Sequence, residues 1–237
     1  MARRAARGKI KHPIEPEEKI RSALSSAFVP AVRSIASAVA SGDLHAAHAA
    51  HDKLSDHIDA LSDHFESLAA DTAESVQIQI ARVLGIDPSD FDPDLSGEID
   101  AFTGSLNDAA SGATADLLDR AEELLDGDEI SEESAEESLS GVVGTLLVRA
   151  SMAFAWGFGQ LNRSAQQSAG VEEYEWSSLH DDKVRPAHEA LDGVRAHWDD
   201  PPLSASDSDN GEDDHAGDDF ACRCVALPVT SIEDEGE

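Results

Sequence analysis

Positive charge is scarce in this chain of 237 residues: 17 Lys and Arg stand against 49 Asp and Glu, a formal net charge of −32, and only five of the basic residues are lysine. A body so acidic is poorly suited to wrapping a phosphate backbone outside local basic segments. Self-repulsion at this charge destabilises a compact fold in dilute buffer, whereas molar salt, with a Debye length of about 3 Å, screens it. A halophilic host is the reading that follows. Cysteine occurs twice, in Cys222-Arg223-Cys224, which excludes a disulfide scaffold. Aromatic residues make up 5%, a level compatible with disorder, but apolar residues recur at helical spacing and argue for a folded chain. The basic start leads into Pro13, Glu15, Pro16 and Glu17 rather than an apolar run, so no classical secretory signal is expected. Phosphate-cradling Gly-Lys loops, Gly-x-Ser-x-Gly elbows and His-Glu-x-x-His helices are all missing, and no enzyme is expected.

Residues 1–16 read as a basic flexible arm in which Arg3, Arg4, Arg7, Lys9 and Lys11 can contact DNA or an acidic partner. Residues 17–141 read as a helical region of long antiparallel or coiled-coil-like helices. Ile20, Leu24, Phe28, Val32, Ile35 and Val39 mark one helix face, with Pro30 expected to kink or divide it. Gly42-Asp43 ends that helix and caps the next, whose seam Leu44, Ala47, His51, Leu54, Ile58, Leu61, Phe65, Leu68 alternates strictly by three and four. This seam alone implies about 37 Å of helix at about 1.5 Å per residue. Of His45, His48, His51, His57 and His64 only His51 falls on the seam, which disfavours a metal site there. The pattern continues through Val76, Ile80 and Val83 to Gly85, and residues 87–97 form a linker. Two shorter helices are expected next, around Ile99 to Ala109 and through Leu117 to Leu125, with Gly112 and Gly127 as punctuation. The apolar stretch Val142 to Leu161 contains Arg149, Ser151 and Gln160, so a buried core helix is expected rather than a membrane span.

Specific motifs begin beyond residue 149. Trp176 precedes a polar turn and Asp181-Asp182, then Val184-Arg185, His188, Leu191-Asp192-Gly193, a variable stretch and Cys222-Arg223-Cys224. This ordered set resembles the C-terminal signature of the phage Mu F-like minor head (head morphogenesis) proteins of tailed viruses. Arg149 and Asn162 fall on a preceding helix like the family's, although Arg149-Ala150-Ser151 departs from the usual Arg-Thr-Glu. The fold class expected is mainly α, a long helical N-terminal region followed by a small α+β C-terminal module over residues 142–237. With the acidic composition, the resemblance implies a haloarchaeal virus, a virion location at the head interior or portal vertex after assembly in the host cytoplasm, and portal and major capsid proteins as partners. Packaged double-stranded DNA would be touched through the basic arm, and no membrane is involved.

The residues have their own physical reading. Asp192-Gly193 suits a tight turn, Arg185 can fork to Asp181 or Asp182, and Trp176 can anchor a small core. His188, Cys222 and Cys224 form a candidate metal set whose thiolates and imidazole suit zinc as a structural clip, with His180, His197 or His215 as a fourth ligand. The plainer alternative makes His188 a hydrogen-bonded core histidine and the thiols small buried hydrophobes. The rival function is a metal-dependent enzyme or toxin-like module on the same three residues. Residues 199–219 read as an acidic flexible loop; Gly211 falls where a calcium loop needs an oxygen ligand.

Overall fold

The computed structural model describes residues 4–5, 10–181, 184–202, 215–218 and 222–230. Among them are five α-helices and four strands: β1 (Arg4–Ala5), α1 (Ile14–Ala40), α2 (Leu44–Leu84), α3 (Ser96–Leu125), α4 (Glu132–Ser168), β2 (Glu173–Ser177), α5 (Pro186–Ala190), β3 (Arg195–His197) and β4 (Val225–Thr230). The fold is mainly α with a small α+β C-terminal part, as the sequence implies. Two compact units are present. The helical unit comprises Ile14–Leu68 and Thr103–Phe154; the sheet unit comprises Met1–Pro13, Ala69–Phe102 and Ala155–Glu237. Helices α2, α3 and α4 each contribute residues to both, and α4 begins ahead of the residue 141/142 division read from sequence.

The helix ends follow their capping chemistry. Gly42 (φ +68°) and Gly85 (φ +73°) take the left-handed conformation that glycine adopts without a Cβ clash. The next amide closes each end, Asp43 N to Ala38 O at 2.9 Å and Ile86 N to Ala81 O at 2.9 Å. Asp43 then caps α2 by accepting from Ala46 N at 2.9 Å. Ser131 does the same for α4, accepting from Ser134 N at 3.2 Å.

Two sequence expectations are narrowed or overturned here. Of the kink or division expected at Pro30, division does not occur, and the proline lies inside one continuous helix. Proline removes one backbone bond, and burial of Ala27, Phe28, Val32 and Ile35 on either side holds the helix together. Likewise the two short helices expected around Gly112 are the single helix α3. A lone helical glycine costs about 1 kcal/mol, less than the burial of Ala110, Ala113 and Leu117 around it returns.

In the helical unit the α2 seam buries Ala47, Leu54, Ile58, Phe65 and Leu68, whereas Leu44 at its start is exposed. Helices α1 and α4 are each long and apolar enough to cross a membrane, by length and composition only. Their apolar positions nevertheless form buried stripes, in α4 through Leu139, Val143, Leu146, Ala150 and Phe154, as expected for a core helix.

The sheet unit carries the antiparallel order β1-β4-β2-β3. Glu173 pairs with His197 and Glu175 with Arg195 across β2 and β3, while Trp176 pairs with Ala226 across β2 and β4. The described part of the basic arm is not free chain, as the flexible reading required. Ile10 and His12 are buried, the His12 ring meets the Phe158 edge at 5.2 Å, and Lys11 N donates to Gln79 Oε1 at 3.1 Å. An apolar residue and an aromatic contact inside the arm outweigh its charge. The Lys11 side chain remains exposed and Arg4 lies in β1; Arg3, Arg7 and Lys9 are outside the described residues.

Candidate functional site

The sheet unit holds its site by attaching a strand to a helix through buried amides. Asn162 Nδ2 and Gln166 Nε2, one turn apart on α4, both donate to Ala226 O on β4, at 2.9 and 2.8 Å. Gln166 also donates to Asn162 Oδ1 at 3.1 Å. Close approach is built in at Gly159, where an added Cβ would sit 3.1 Å from Gly217 O. Nearby, Asp218 accepts from Gln160 at 2.6 Å and meets Arg163 at 3.5 Å. Burial raises the Asp218 carboxyl above its usual range, opposed by Arg163 and Gln160.

A pile of rings fills one side of the sheet. Tyr174 lies against Trp198 with ring centroids 4.3 Å apart, and its hydroxyl is hydrogen-bonded with His215 Nδ1 at 3.0 Å. Burial, then the Arg163 charge, lowers His215 to about 4. Burial also raises the Tyr174 hydroxyl.

Trp176 is fully buried and organises the signature residues. Its amide donates to Val194 O and its carbonyl accepts from Gly193 N, both at 2.8 Å, so the Leu191-Asp192-Gly193 turn (Gly193 φ +78°) folds back onto β2. Asp192 Oδ1 secures that turn by accepting from Ser178 N at 2.7 Å, and Leu191 packs against the core cluster. Asp181 is paired by Arg223 at 2.5 Å; Asp182, the other carboxylate expected near Arg185, lies outside the described residues. Arg185 precedes Pro186 at the start of α5 and lines a small cavity.

Behind that cavity the chain gathers its only two cysteines around a histidine. Cys222 and Cys224 stand just ahead of β4, and α5 supplies His188. All three are buried, and their ligand atoms lie within 4.8 Å of one another. His188 Nδ1 is 3.2 Å from Cys222 Sγ and 3.7 Å from Cys224 Sγ, and Cys224 N donates to Cys222 Sγ at 3.4 Å. The Trp176 ring closes the group edge-on to His188 at 5.5 Å. Cys222 is lowered to about 5, first because it accepts a hydrogen bond from the Cys224 thiol, then through His188, with burial opposing. Cys224, donor in that pair and itself buried, is pushed up; the Trp176 indole and Arg185 work the other way. Leu179, Val184, Arg185 and Arg223 complete the lining of the cavity, about 20 Å3.

The three histidines expected as a fourth ligand are used elsewhere. His180 Nδ1 contacts Ser178 Oγ at 3.2 Å, His197 pairs with Glu173 at 2.9 Å, and His215 is hydrogen-bonded with Tyr174. Of the α2 histidines, His48 pairs with Glu122 at 3.0 Å and His51 with Asp52 at 3.4 Å.

Residues 131–227 match the family model of Phage Mu protein F like protein, a span that opens at the Ser131 cap of α4 and closes in β4. That segment, under half of the chain, is similar to Mu F-like proteins. The chain is also similar to an uncharacterized protein of Haemophilus influenzae, 35% identical over 69 residues, a stretch covering 29% of this chain and 14% of that relative. No solved structure matches the chain. Within the matched segment Trp176, Arg185, His188, Cys222 and Cys224 come together around one buried group.

What sequence reading missed is the Asn162–Gln166 pair and the Tyr174–Trp198–His215 pile. The first has a signal: two amides four residues apart inside an apolar stretch, flanked by Leu161 and Ala165, call for a buried acceptor.

Proposed function

We propose that the chain is a minor head protein of a tailed virus that associates with the portal and the inner face of the major capsid shell during assembly, and aids DNA packaging or ejection. The observation that carries this reading is the Mu F-like match over 131–227, which runs from the start of α4 into β4. The long helices offer extended surface for protein contacts. The basic arm, with exposed Lys11, is the segment suited to packaged DNA. In this reading assembly takes place in the host cytoplasm and the product resides in the virion, and the acidic composition supports a host of high internal salt, such as a haloarchaeon.

A metal-dependent enzyme or toxin-like module on His188, Cys222 and Cys224 is less well supported. The cavity beside them, about 20 Å3, has room for a water molecule and not for a substrate.

Co-expression of the full chain with portal and major capsid proteins from the same viral genome, in molar KCl, tests the proposal. The chain is expected to sediment with portal rings and to be found by mass spectrometry in purified heads. Its absence from both removes the reading. Unfolding midpoints are expected to rise steadily from dilute buffer to molar salt, and a flat response removes the assignment to a high-salt host.

A further inference from the structure

We propose that His188 Nδ1, Cys222 Sγ and Cys224 Sγ hold one zinc-class divalent ion, with a water as fourth ligand in the cavity lined by Arg185 and Arg223, and that this ion clips α5 to the start of β4. The inference stands on the geometry of these residues and is independent of the virion role.

The spacing fits a tetrahedral ion before any ion is present. With Zn–S of about 2.3 Å and Zn–N of about 2.0–2.1 Å, tetrahedral angles put sulfur and nitrogen about 3.5 Å apart. The two observed separations, 3.2 and 3.7 Å, bracket that value. The spacing of one residue between the cysteines, unlike a zinc knuckle, still leaves both sulfurs within reach of one point, and the third ligand arrives from a separate helix. A fourth protein ligand does not join the group among the described residues. The adjoining cavity is one water in size, which a three-ligand site with an open position requires.

Supporting contacts of the kind that orient metal ligands are also in place. The Cys224 amide donates to Cys222 Sγ, and the Trp176 edge fixes the imidazole plane. Held this way, the ion joins two segments 34 residues apart in sequence with no disulfide.

The test uses the reduced, full-length chain in high salt, titrated with cobalt(II) alone and then with zinc(II). One equivalent of cobalt is expected to bind with a sulfur-to-cobalt charge-transfer band and tetrahedral ligand-field bands, both displaced by one equivalent of zinc. Replacing either cysteine by serine is expected to weaken binding by more than the roughly 10–100-fold that loss of a supporting contact costs. His45→Gln with His48→Gln is expected to leave binding unchanged. The inference is overturned if the wild-type chain shows no thiolate-to-cobalt band, or if the triple variant H188Q/C222S/C224S takes up as much metal as wild type. Because the wild-type spectrum needs no variant, a serine variant that misfolds leaves the test standing.

Discussion

Among the described residues, Thr114 is the one polar side chain buried in the helical unit, where Leu, Ile, Val, Phe and Ala fill nearly every other buried position. The sheet unit buries His12, Thr72, Asn162, Gln166, Ser178, His188 and His215. The least exposed arginine–carboxylate pairs also fall in the sheet unit. Arg33–Glu136 and Arg149–Asp116 in the helical unit join side chains that are about half exposed, whereas Arg223–Asp181 and Arg163–Asp218 in the sheet unit are a third exposed or less. An apolar stripe tolerates exchange of one hydrophobe for another, because burial is non-directional. A buried polar group demands one partner in one place. The difference teaches that the helical unit is specified by repetition and the sheet unit by a few irreplaceable contacts, and substitutions can break or sharpen that contrast.

The largest effect is expected at Trp176. Trp176→Ala empties the centre of the sheet unit and is expected to cost about 3–5 kcal/mol, measured by denaturant unfolding in high salt. A loss below that of Leu54→Ala in the helical unit would reverse the comparison. Next, the double variant Asn162→Ala/Gln166→Ala strips both donors from Ala226 O and is expected to cost about 1–3 kcal/mol. Either single variant should cost less, since the other amide still reaches the same carbonyl; equal losses in singles and double would show that the pair acts only as one unit.

The third is a pH effect confined to the sheet unit. His215 is lowered from 6.5 to about 4 in the fold. The unfolded chain therefore binds the extra proton first as pH falls, and stability drops between about pH 6.5 and 4. His215→Gln, which keeps a hydrogen-bonding group beside Tyr174, is expected to flatten that part of the stability profile. An unchanged slope would assign the acid sensitivity to the carboxylates instead.

Smallest is Gly112→Ala on α3. The glycine lies in a helix and an added Cβ meets nothing within 4 Å, so a gain of about 1 kcal/mol is expected. A loss would show that the helical unit also contains a position of exact fit. Gly157, in the sheet unit, marks the contrast: there a Cβ would come within 2.3 Å of the Phe102 ring.

The helices were legible in the residues themselves. Apolar spacing of three and four, Gly42-Asp43 and Gly85 fix α1 and α2, because helix hydrogen bonds and caps are local. The same locality misled at Pro30 and Gly112, where breaker residues are outweighed by burial that no local rule sees. The ordered residues from Trp176 to Cys224 were likewise visible as a signature. What the sequence could not assign was partnership: that Arg223 takes Asp181, that His215 serves Tyr174 and that two amides of α4 share one carbonyl of β4. Composition and period thus determined a long-helix protein with a small terminal module. Only the tertiary structure decided that a histidine on α5 meets two cysteines 34 and 36 residues later, because chain closure over that distance leaves no periodic trace in the residues between.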